Sequence, residues 1–477
     1  MAVTHAPLTL PAYEDPRLTA VLGGELPHEL SHAFGGPFHF LLPDRFEANA
    51  AAFAAVLAEH QVPGLVHYAK KANKAAAWIE RCADAGLGVD VASTGELREA
   101  LGHGVRGDRI VVTGPAKADD LLRLAHLQDC LIAVDAPDEL DRVIAPARPD
   151  RPARLLLRVL PPAQSHSRFG FDEAELAAAL TRCQEAGDSV RMEGFSFHLS
   201  GYATQPRADL AGKLVGLCRR ARALGLPADR ISIGGGFAVT YVAAEDWERF
   251  TREQRPEHYH AGKSFPDFYP YHSPVAGPEA LRAVLAATPH GERATLAALL
   301  REAEVALLLE PGRALLDGAG CTVFRVQGVK AREYGIVTVD GTSLSLSEQW
   351  FNSEFLPDPV LVPRPEKQAI ADGEPFPACV GGATCLESDM LTWRKVAFPA
   401  RPSVGDLLVY PNTAGYQMDS NESPFHDLPL PPRSYSSTTA SARAGASTGT
   451  SPAEPSPRDP SWTTHSYAPR SSAGSPT

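Results

Sequence analysis

Residues 65–101 read LVHYAKKANKAAAWIERCADAGLGVDVASTGELREAL, and this stretch indicates the fold of most of the chain. A short apolar run at Leu65–Ala69 is followed by a helix-like stretch at Lys74–Ala85. A second apolar run at Gly88–Ala92 is again followed by a helix-like stretch, Thr94–Leu101. Two strand–helix units in succession predict parallel strands that are joined by crossover helices.

The same alternation continues to about residue 310. Further strand-like runs lie at Arg109–Thr113, Leu131–Asp135, Ala153–Leu160, Gly194–Leu199, Arg230–Gly234 and Val305–Glu310. Eight strands alternating with helices over residues 44–310 have the size and pattern of a (β/α)8 TIM barrel. The GxGxxG turn that is typical of the competing open sheet does not follow the first strand. We therefore predict an α/β barrel whose first helix begins with a capping box formed by Asp44 and Glu47.

A different pattern begins after the barrel. Pro- and Gly-rich turns separate strand-like runs at Cys321–Val329, Gly335–Val339, Pro377–Val380 and Asp406–Tyr410. Residues 311–430 are thus predicted to form a C-terminal, mostly β domain. We expect the N-terminal segment 1–43, which includes the apolar run Phe38–Leu42, to add a strand to it. The aromatic-rich residues 242–276 are predicted to be an insertion in the barrel.

The last 47 residues have a separate composition. From Pro431 to Thr477 there is no Leu, Ile, Val, Met or Phe, and Ser, Thr and Pro dominate. Such a segment buries too little apolar surface to offset its ordering entropy, so residues 431–477 are predicted to be a disordered tail. Trp462 and Tyr467 are candidates for a short binding motif, although most tails of this composition are linkers.

Composition and charge exclude several classes of protein. The chain has 477 residues, of which 44% are hydrophobic and 21% charged, as is ordinary for a soluble globular protein. With 45 Lys and Arg against 57 Asp and Glu, its formal net charge of −12 argues against nucleic-acid binding. The sequence lacks an apolar stretch of membrane-spanning length and a secretory leader pattern. Seven scattered cysteines without a CxxC pair predict free thiols, no metal site and a cytoplasmic protein.

Candidate functional residues follow from the barrel, because active sites of such barrels lie at the carboxyl ends of the strands. The first strand ends at Lys70 and Lys71, and only one of two consecutive side chains can point into the barrel mouth. A lysine there is unusual, because burying an ammonium group is costly without a partner or a covalent role. The second strand ends at Asp90, and the sixth ends at His198, with Ser200 close behind.

The last two strand ends add an anion site and a second carboxylate. Gly234, Gly235 and Gly236 follow the seventh strand, where backbone N–H groups can approach a phosphate closely. Glu310 and Arg313 follow the eighth strand. Taken singly, these residues are also compatible with solvated lysines, a core histidine and a flexible turn. Together they match the needs of pyridoxal 5′-phosphate (PLP): a lysine for a Schiff base, donors for the phosphate and an acid for the pyridine nitrogen.

At these residues the sequence resembles the fold-type III PLP enzymes, the diaminopimelate/ornithine/arginine decarboxylase family, which share the alanine racemase-type barrel. Residues 68–73 match the motif YAxKAN, which selects Lys71 over Lys70 as the Schiff-base lysine. His198 matches the histidine that stacks on the cofactor, and Glu310 to Arg313 match EPGR. Residues 382–385 with Asp389 resemble GPxCxxxD, and Gly415-Tyr416 resembles GAY.

The resemblance implies roles for these residues. Catalysis would rest on Lys71 and on Cys385, whose loop reaches into the partner subunit's site in this family and acts near Cα. A homodimer with shared active sites is therefore expected. Cofactor contacts are expected from Lys71, Asp90, His198, Ser200, Gly234, Gly235, Gly236, Glu310, Arg313 and Tyr416. Contacts to an amino-acid substrate are expected from Arg313, Glu387 and Asp389.

Three departures from the family pattern concern the substrate and the phosphate. Leu386 stands where the decarboxylases usually place an acid, and Ser200-Gly201 replaces the usual order Gly-Ser of HxGS. The run from Gln349 to Phe355 is closer to a siderophore-pathway branch of the family. The predicted activity is decarboxylation of an amino acid or an amino-acid conjugate. The alternatives are a racemase or epimerase that uses Lys71 and Cys385 on opposite faces of Cα, and a catalytically silent regulatory homologue.

Overall fold

The structure, a computed structural model, describes residues 7–13, 15–346, 353–366 and 374–418, together with the backbone of residues 433–436 and 445–448. The chain divides into two compact units, Met1–Asp427 and Leu428–Thr477. The larger unit contains a closed barrel and a separate, mostly antiparallel sheet.

The N-terminal segment forms two short helices and a strand: α1 (Pro16–Leu22), α2 (Leu26–Phe34) and β1 (Phe38–Leu41). Asp15 caps α1 by accepting a hydrogen bond from the Arg17 backbone N–H. Strand β1 pairs antiparallel with the first strand that follows the barrel. The expected addition of a strand from residues 1–43 is therefore observed.

Eight parallel strands close into the barrel. They are β2 (Gly64–Ala69), β3 (Gly88–Val91), β4 (Ile110–Val112), β5 (Leu131–Val134), β6 (Ala153–Arg158), β7 (Val190–Ser196), β8 (Arg230–Ser232) and β9 (Ala306–Leu309). Pairing of β2 with β9, in the register Val66 opposite Leu309, completes the ring. The predicted barrel fold is confirmed, with all eight strands at the predicted places.

The helices that surround the barrel follow the strands in order. They are α3 (Pro43–Glu59), α4 (Ala76–Ala85), α5 (Thr94–Gly102), α6 (Asp119–Leu127), α7 (Pro137–Ile144), α8 (Glu173–Ala186), α9 (Thr204–Ala223), α10 (Ala244–Glu253), α11 (Gly277–Ala286) and α12 (Leu296–Glu302). The capping box predicted for α3 is wrong. The helix begins at Pro43, which suits the first helical position, and has no side-chain cap. Asp44 and Glu47 instead face Arg81, with N–O distances of 3.2 and 3.9 Å.

Strand β7 begins four residues earlier than predicted. Its first residues include polar side chains, so an apolar run did not indicate a strand there. Among them Glu193 is fully buried at the N-terminal end of the barrel. Its carboxylate lies 2.7 Å from Arg154 Nε, 3.0 Å from Arg230 Nη1 and 3.3 Å from Arg191 Nε. The centre of the barrel is apolar, filled by a cluster from five strands: Leu65, Val111, Leu131, Leu156 and Leu308.

The second sheet is built from β1 and six later strands: β10 (Gly320–Ala331), β11 (Gly335–Val339), β12 (Val360–Val362), β13 (Phe376–Gly381), β14 (Met390–Phe398) and β15 (Leu407–Pro411). Its order is β12-β15-β10-β11-β13-β14, with β1 beside β10, and only β11 and β13 pair in parallel. The sequence analysis missed β12 and β14. In β14 the fully buried Arg394 interrupts the apolar pattern, and its charge is paired with Asp358 at 2.5 Å.

The predicted insertion 242–276 contains α10 followed by two single helical turns. Its Tyr269 and Tyr271 are buried and pack edge-on against Tyr241, with ring centroids 6.0 and 5.4 Å apart. Tyr271 also packs against Phe355 of the segment that leads into the second sheet. The insertion is thus an aromatic layer between the barrel and the sheet.

In the smaller unit, strand β16 (Arg433–Ser436) pairs antiparallel with β17 (Gly445–Thr448). The rest of the predicted tail, including Trp462 and Tyr467, lies outside the described residues, as do Gln349 to Asn352. The predicted domain limits and the disorder of the tail stay predictions. Within the described part of the chain no helix is long and apolar enough to cross a membrane. All seven cysteines are free thiols, of which six are buried and Cys385 is exposed.

Candidate active site

The two consecutive lysines after β2 diverge, as the sequence analysis predicted. They lie in a single 3₁₀ turn, Lys70–Ala72. Lys70 is buried, and its Nζ lies 2.6 Å from Glu99 Oε2. Lys71 Nζ donates to Asp90 Oδ2 over 2.9 Å, and its side chain stays 27% exposed. Lys71 is therefore the lysine that a ligand in the barrel mouth can reach.

Asp90 at the end of β3 anchors this lysine. Its carboxylate is buried and accepts a second hydrogen bond from Thr113 Oγ1 over 2.5 Å. Burial opposes the charged form of Lys71, but the charge of Asp90, aided by Tyr416 and Glu310, raises the pKa of Lys71 above its usual range. Without a ligand, the Lys71 amine is thus an ammonium group held in one place.

A second carboxyl group, that of Glu310, follows β9. Ser232 Oγ on the neighbouring β8 donates to Glu310 Oε1 over 2.6 Å. Burial and the charge of Asp90 raise the pKa of Glu310 to about 7, although Ser232 and Lys71 oppose the shift. A carboxyl group that gains and loses a proton near neutral pH is suited to a basic ring nitrogen.

His198 provides a flat, neutral surface beside these groups. A Cβ added to Gly234 would lie 2.9 Å from His198 Nδ1, so the imidazole and the glycine loop are in close contact. The enclosing protein and the charges of Lys71, Arg158 and Arg207 lower the pKa of His198 to about 3. The residue is nonetheless exposed in the barrel mouth, which leaves the ring accessible to a ligand.

The three glycines after β8 have the geometry of an anion cradle. Gly234 and Gly236 have φ of +66° and +81°, and a Cβ on Gly235 would lie 2.7 Å from the Glu310 carbonyl oxygen. The backbone N–H groups of Gly235, Gly236 and Phe237 make no hydrogen bond within the described residues. Unpartnered N–H groups on a glycine loop beside Lys71 and Glu310 fit the phosphate and ring of PLP.

Arg313 lies among aromatic residues. Its Nη1 donates to Tyr241 Oη and to the Gly415 carbonyl, both over 3.1 Å. Its guanidinium carbon lies 4.1 Å from the ring centroid of Tyr269 and 4.8 Å from that of Tyr416. The arginine that contacts the glycine loop is Arg207, whose Nη2 donates to the Gly236 carbonyl.

Tyr416 belongs to the same cluster. Its backbone N–H donates to the Ala72 carbonyl, next to Lys71, over 2.8 Å. Its φ of +76° is rare for a residue with a side chain and indicates a locally strained turn. The structure thus brings Tyr416, from the second sheet, to the lysine of the barrel.

Four predicted site residues are not brought to Lys71 within this chain. Cys385 and Glu387 are exposed in the loop between β13 and β14, and Ser200 is exposed after β7. Asp389 is buried, and its carboxylate accepts hydrogen bonds from Ser343 N and Thr384 Oγ1, both over 2.7 Å, which stabilise that loop. A direct substrate contact of Asp389 stays a prediction, and its geometry favours a structural role.

Three site residues were missed by the sequence analysis: Thr113, Ser232 and Arg207. Ser232 had a detectable signal, because it is a polar residue at the end of β8, two residues before the first glycine of the loop. Thr113 directly follows β4 at a strand end. Arg207 had no such signal, since one arginine near the start of a helix is normally a surface residue.

Comparisons with known proteins agree with a PLP-binding barrel. Residues 44–265 match the family model "Pyridoxal-dependent decarboxylase, pyridoxal binding domain". The chain is 38% identical to the uncharacterised protein y4yA of Sinorhizobium fredii, over 86% of this chain and 90% of that protein. It is 28% identical to the diaminopimelate decarboxylase of Actinosynnema pretiosum, over 83% of each chain.

Comparison with solved structures also finds a diaminopimelate decarboxylase. The structure of Helicobacter pylori diaminopimelate decarboxylase complexed with L-lysine matches with a TM-score of 0.61. The match covers 80% of this chain and 87% of that one at 19% identity, which shows the shared fold. The barrel, the Lys71 cluster and the glycine cradle accord with these matches, and the chain belongs to the fold-type III PLP-dependent decarboxylase family.

Proposed function

We propose that the protein removes the α-carboxylate of an amino acid or an amino-acid conjugate, with PLP bound covalently to Lys71. The observation that carries this proposal is the hydrogen bond of Lys71 to Asp90 in a mouth that also holds Glu310, His198 and the glycine cradle. The curated relatives named as decarboxylases support the reaction type. Bound PLP supplies a pyridine ring that accepts the electron pair left at Cα when CO2 departs.

The residues around the ring have separate tasks in this proposal. Glu310 would hold a proton for the ring nitrogen, to which its pKa of about 7 is suited. His198, which is neutral, would contact the cofactor ring without adding a positive charge against it. Asp90 accepts the Lys71 hydrogen bond and keeps the amine aimed into the mouth. Tyr416 closes the site from the second sheet.

Cys385 is proposed to act near Cα in a neighbouring subunit. Its thiol is exposed and lies on a loop held by Asp389, so it is available to a second copy of the chain. A homodimer with shared sites would require one Lys71 and one Cys385 for each site. Mixing Lys71→Ala with Cys385→Ala protein is then expected to restore up to about a quarter of wild-type activity by random exchange. No recovery after verified exchange would contradict shared sites.

We propose that this protein recognises a different substrate side chain from the one that the housekeeping decarboxylases recognise. Leu386 stands where those enzymes place an acid, and it is 65% exposed, which provides an apolar surface beside Cys385. We propose a substrate without a distal amine at this position, such as an acylated amino acid of the siderophore-pathway type. Glu387 and Arg313 remain the candidate polar contacts.

A screen with carboxyl-labelled substrates tests the reaction. L- and D-amino acids and citryl or other acyl conjugates are incubated with the holoenzyme, and labelled CO2 is measured. Release of CO2 from one class supports the proposal, whereas loss of stereochemistry with the label retained would establish a racemase instead.

The Lys71→Ala variant is expected to lose the visible absorbance band of the bound cofactor and at least about 10³-fold of the activity. Lys70→Met provides the control, because Lys70 points away to Glu99 and its loss should leave the band in place. A band or turnover retained by Lys71→Ala would contradict the assignment of this lysine.

A further inference from the structure

Arg207 is a buried cation whose surroundings lack a carboxylate. It lies near the start of α9 and is 2% exposed. Its guanidinium donates to the carbonyl oxygens of Ile233 over 2.9 Å, Gly201 over 3.3 Å and Gly236 over 3.4 Å. No Asp or Glu of the described residues lies within 4.0 Å of it as an ion-pair partner. Burial lowers the pKa of Arg207 to about 10, and the Tyr202 phenol only partly opposes this shift.

An uncompensated buried charge is costly, so its retention calls for an explanation. Arg394, another fully buried arginine of this chain, shows the usual arrangement, with Asp358 at 2.5 Å from its guanidinium. Arg207 has hydrogen bonds to three carbonyl groups, which engage three of its five N–H donors but carry no full negative charge. The described part of the chain thus supplies no counter-ion for Arg207, which leaves room for a bound anion.

The position of Arg207 indicates where this counter-ion binds. The guanidinium lies directly behind the glycine loop, since a Cβ on Gly236 would collide with it. Because C=O and N–H point in opposite directions across a trans peptide, the N–H of Phe237 faces away from Arg207. That N–H, with those of Gly235 and Gly236, is unpartnered within the described residues. Arg207 thus lies on one side of the loop and the open donors on the other.

We propose that Arg207 is a positioning residue for the cofactor phosphate: it holds the carbonyl groups of Gly201 and Gly236 inward, so that the N–H groups of the loop face the phosphate, and it supplies the buried positive charge that keeps the phosphate a dianion. The inference rests on PLP as the cofactor. It adds Arg207 to the residues for which the resemblance implies a cofactor contact, Arg313 among them. Arg313 itself contacts Tyr241 and Tyr269.

The test compares PLP with pyridoxal, which lacks the phosphate, in binding to the apoenzyme. Arg207→Gln is expected to weaken PLP binding ~10- to 100-fold, the usual range for a charge-assisted hydrogen bond. Pyridoxal binding should change little, because its aldehyde still reaches Lys71. The control is Arg220→Gln, an exposed position on the same helix, for which both affinities should equal those of wild type. A general structural role of Arg207 would weaken both ligands alike and would overturn the proposal.

A ³¹P NMR titration provides a readout that is independent of affinity. In the wild-type holoenzyme the phosphorus shift should stay constant from about pH 5 to 8, because the dianion is held against its free second pKa of about 6. In Arg207→Gln the shift should titrate within that range. A wild-type phosphate that itself titrates near pH 6 would overturn the proposal.

Arg207→Lys covers the case in which Arg207→Gln does not fold. Lysine keeps the charge but cannot bond three carbonyl groups at once. It should preserve the flat ³¹P profile and still weaken PLP relative to pyridoxal, and wild-type values for both ligands would contradict the proposal. A wild-type protein that binds PLP no better than pyridoxal would argue against the phosphate site as a whole, and so against the proposed function rather than against Arg207 alone.

Discussion

The two ends of the barrel both bury charged side chains, but in opposite ways. At the N-terminal end, the fully buried Glu193 lies within 3.3 Å of three arginines, Arg154, Arg191 and Arg230. At the mouth, Arg207 contacts three carbonyl groups and the ring of Phe237 but no carboxylate of the described residues, and Glu310 has a pKa raised to about 7. Arginine and glutamate therefore form a closed network at the N-terminal end, in which they pair with each other. At the mouth the network is incomplete, because they do not pair.

The difference shows how to separate structural from functional buried charges. A network in which the charges of opposite sign meet needs no ligand to compensate them. A buried group that stays charged without a counter-ion indicates a site that a ligand completes. A buried acid that stays protonated at a pH where it is normally ionised indicates the same. By this criterion the mouth is the ligand-binding end, as is general for this fold.

The largest expected effect concerns the closed network. Glu193→Gln keeps the shape of the side chain but leaves three arginines without their shared counter-ion. We expect the free energy of unfolding in urea to fall by ~3–5 kcal/mol, with cofactor affinity of the folded protein unchanged. The control Glu302→Gln affects an exposed pair with Arg219 and should cost less than about 1 kcal/mol. Equal stability of Glu193→Gln and wild type would contradict a structural network.

The next effect concerns Glu310 in the incomplete network at the barrel mouth. Glu310→Gln removes the group that exchanges a proton near neutral pH, and it should lower turnover about 100-fold, or ~2.7 kcal/mol. The cofactor should still bind to Lys71, as measured by its absorbance, and stability should fall far less than for Glu193→Gln. Ser232→Ala, which removes one hydrogen bond to Glu310, should cost about tenfold. Normal turnover by the Glu310→Gln variant would contradict a functional role for the charges at the barrel mouth.

A third effect, on the pH dependence of stability, concerns His67 in the barrel interior, whose pKa burial lowers from 6.5 to about 4. Its Nδ1 has no hydrogen-bond partner in the described part of the chain. The folded protein binds this proton less readily than the unfolded chain does. Stability is therefore fully present above about pH 6.5 and is lost as pH falls toward 4, by up to ~1.4 kcal/mol per pH unit. His67→Asn should reduce the slope of unfolding free energy against pH by about one proton. An unchanged slope would mean that His67 takes up its proton without unfolding.

Much of the fold could be read from local patterns. All eight barrel strands were predicted, because strands in a parallel barrel are apolar runs between helices. Two of the failures share one cause. The start of β7 and the whole of β14 contain buried charges, Glu193 and Arg394, whose partners are distant in sequence. A pattern of hydrophobicity alone cannot show that such a charge is compensated.

The site was predicted to a similar extent. Lys71, Asp90, His198, Gly234 and Glu310 were found at strand ends, and the structure brings them together. Arg207 escaped, because only the packing of α9 behind the glycine loop buries it. Cys385, Glu387 and Asp389 stay predictions that depend on a second subunit.

The sequence by itself determined the barrel, the PLP-type motifs and the choice of Lys71, because apolar periodicity and short motifs act over a few residues. Only the tertiary structure decided which charges are paired. Arg154 and Arg207 are both arginines in the barrel region, yet one meets Glu193 and the other meets carbonyl groups and the ring of Phe237. The energy of a buried charge depends on partners brought together by the closed barrel, and these contacts join residues that are far apart in the chain.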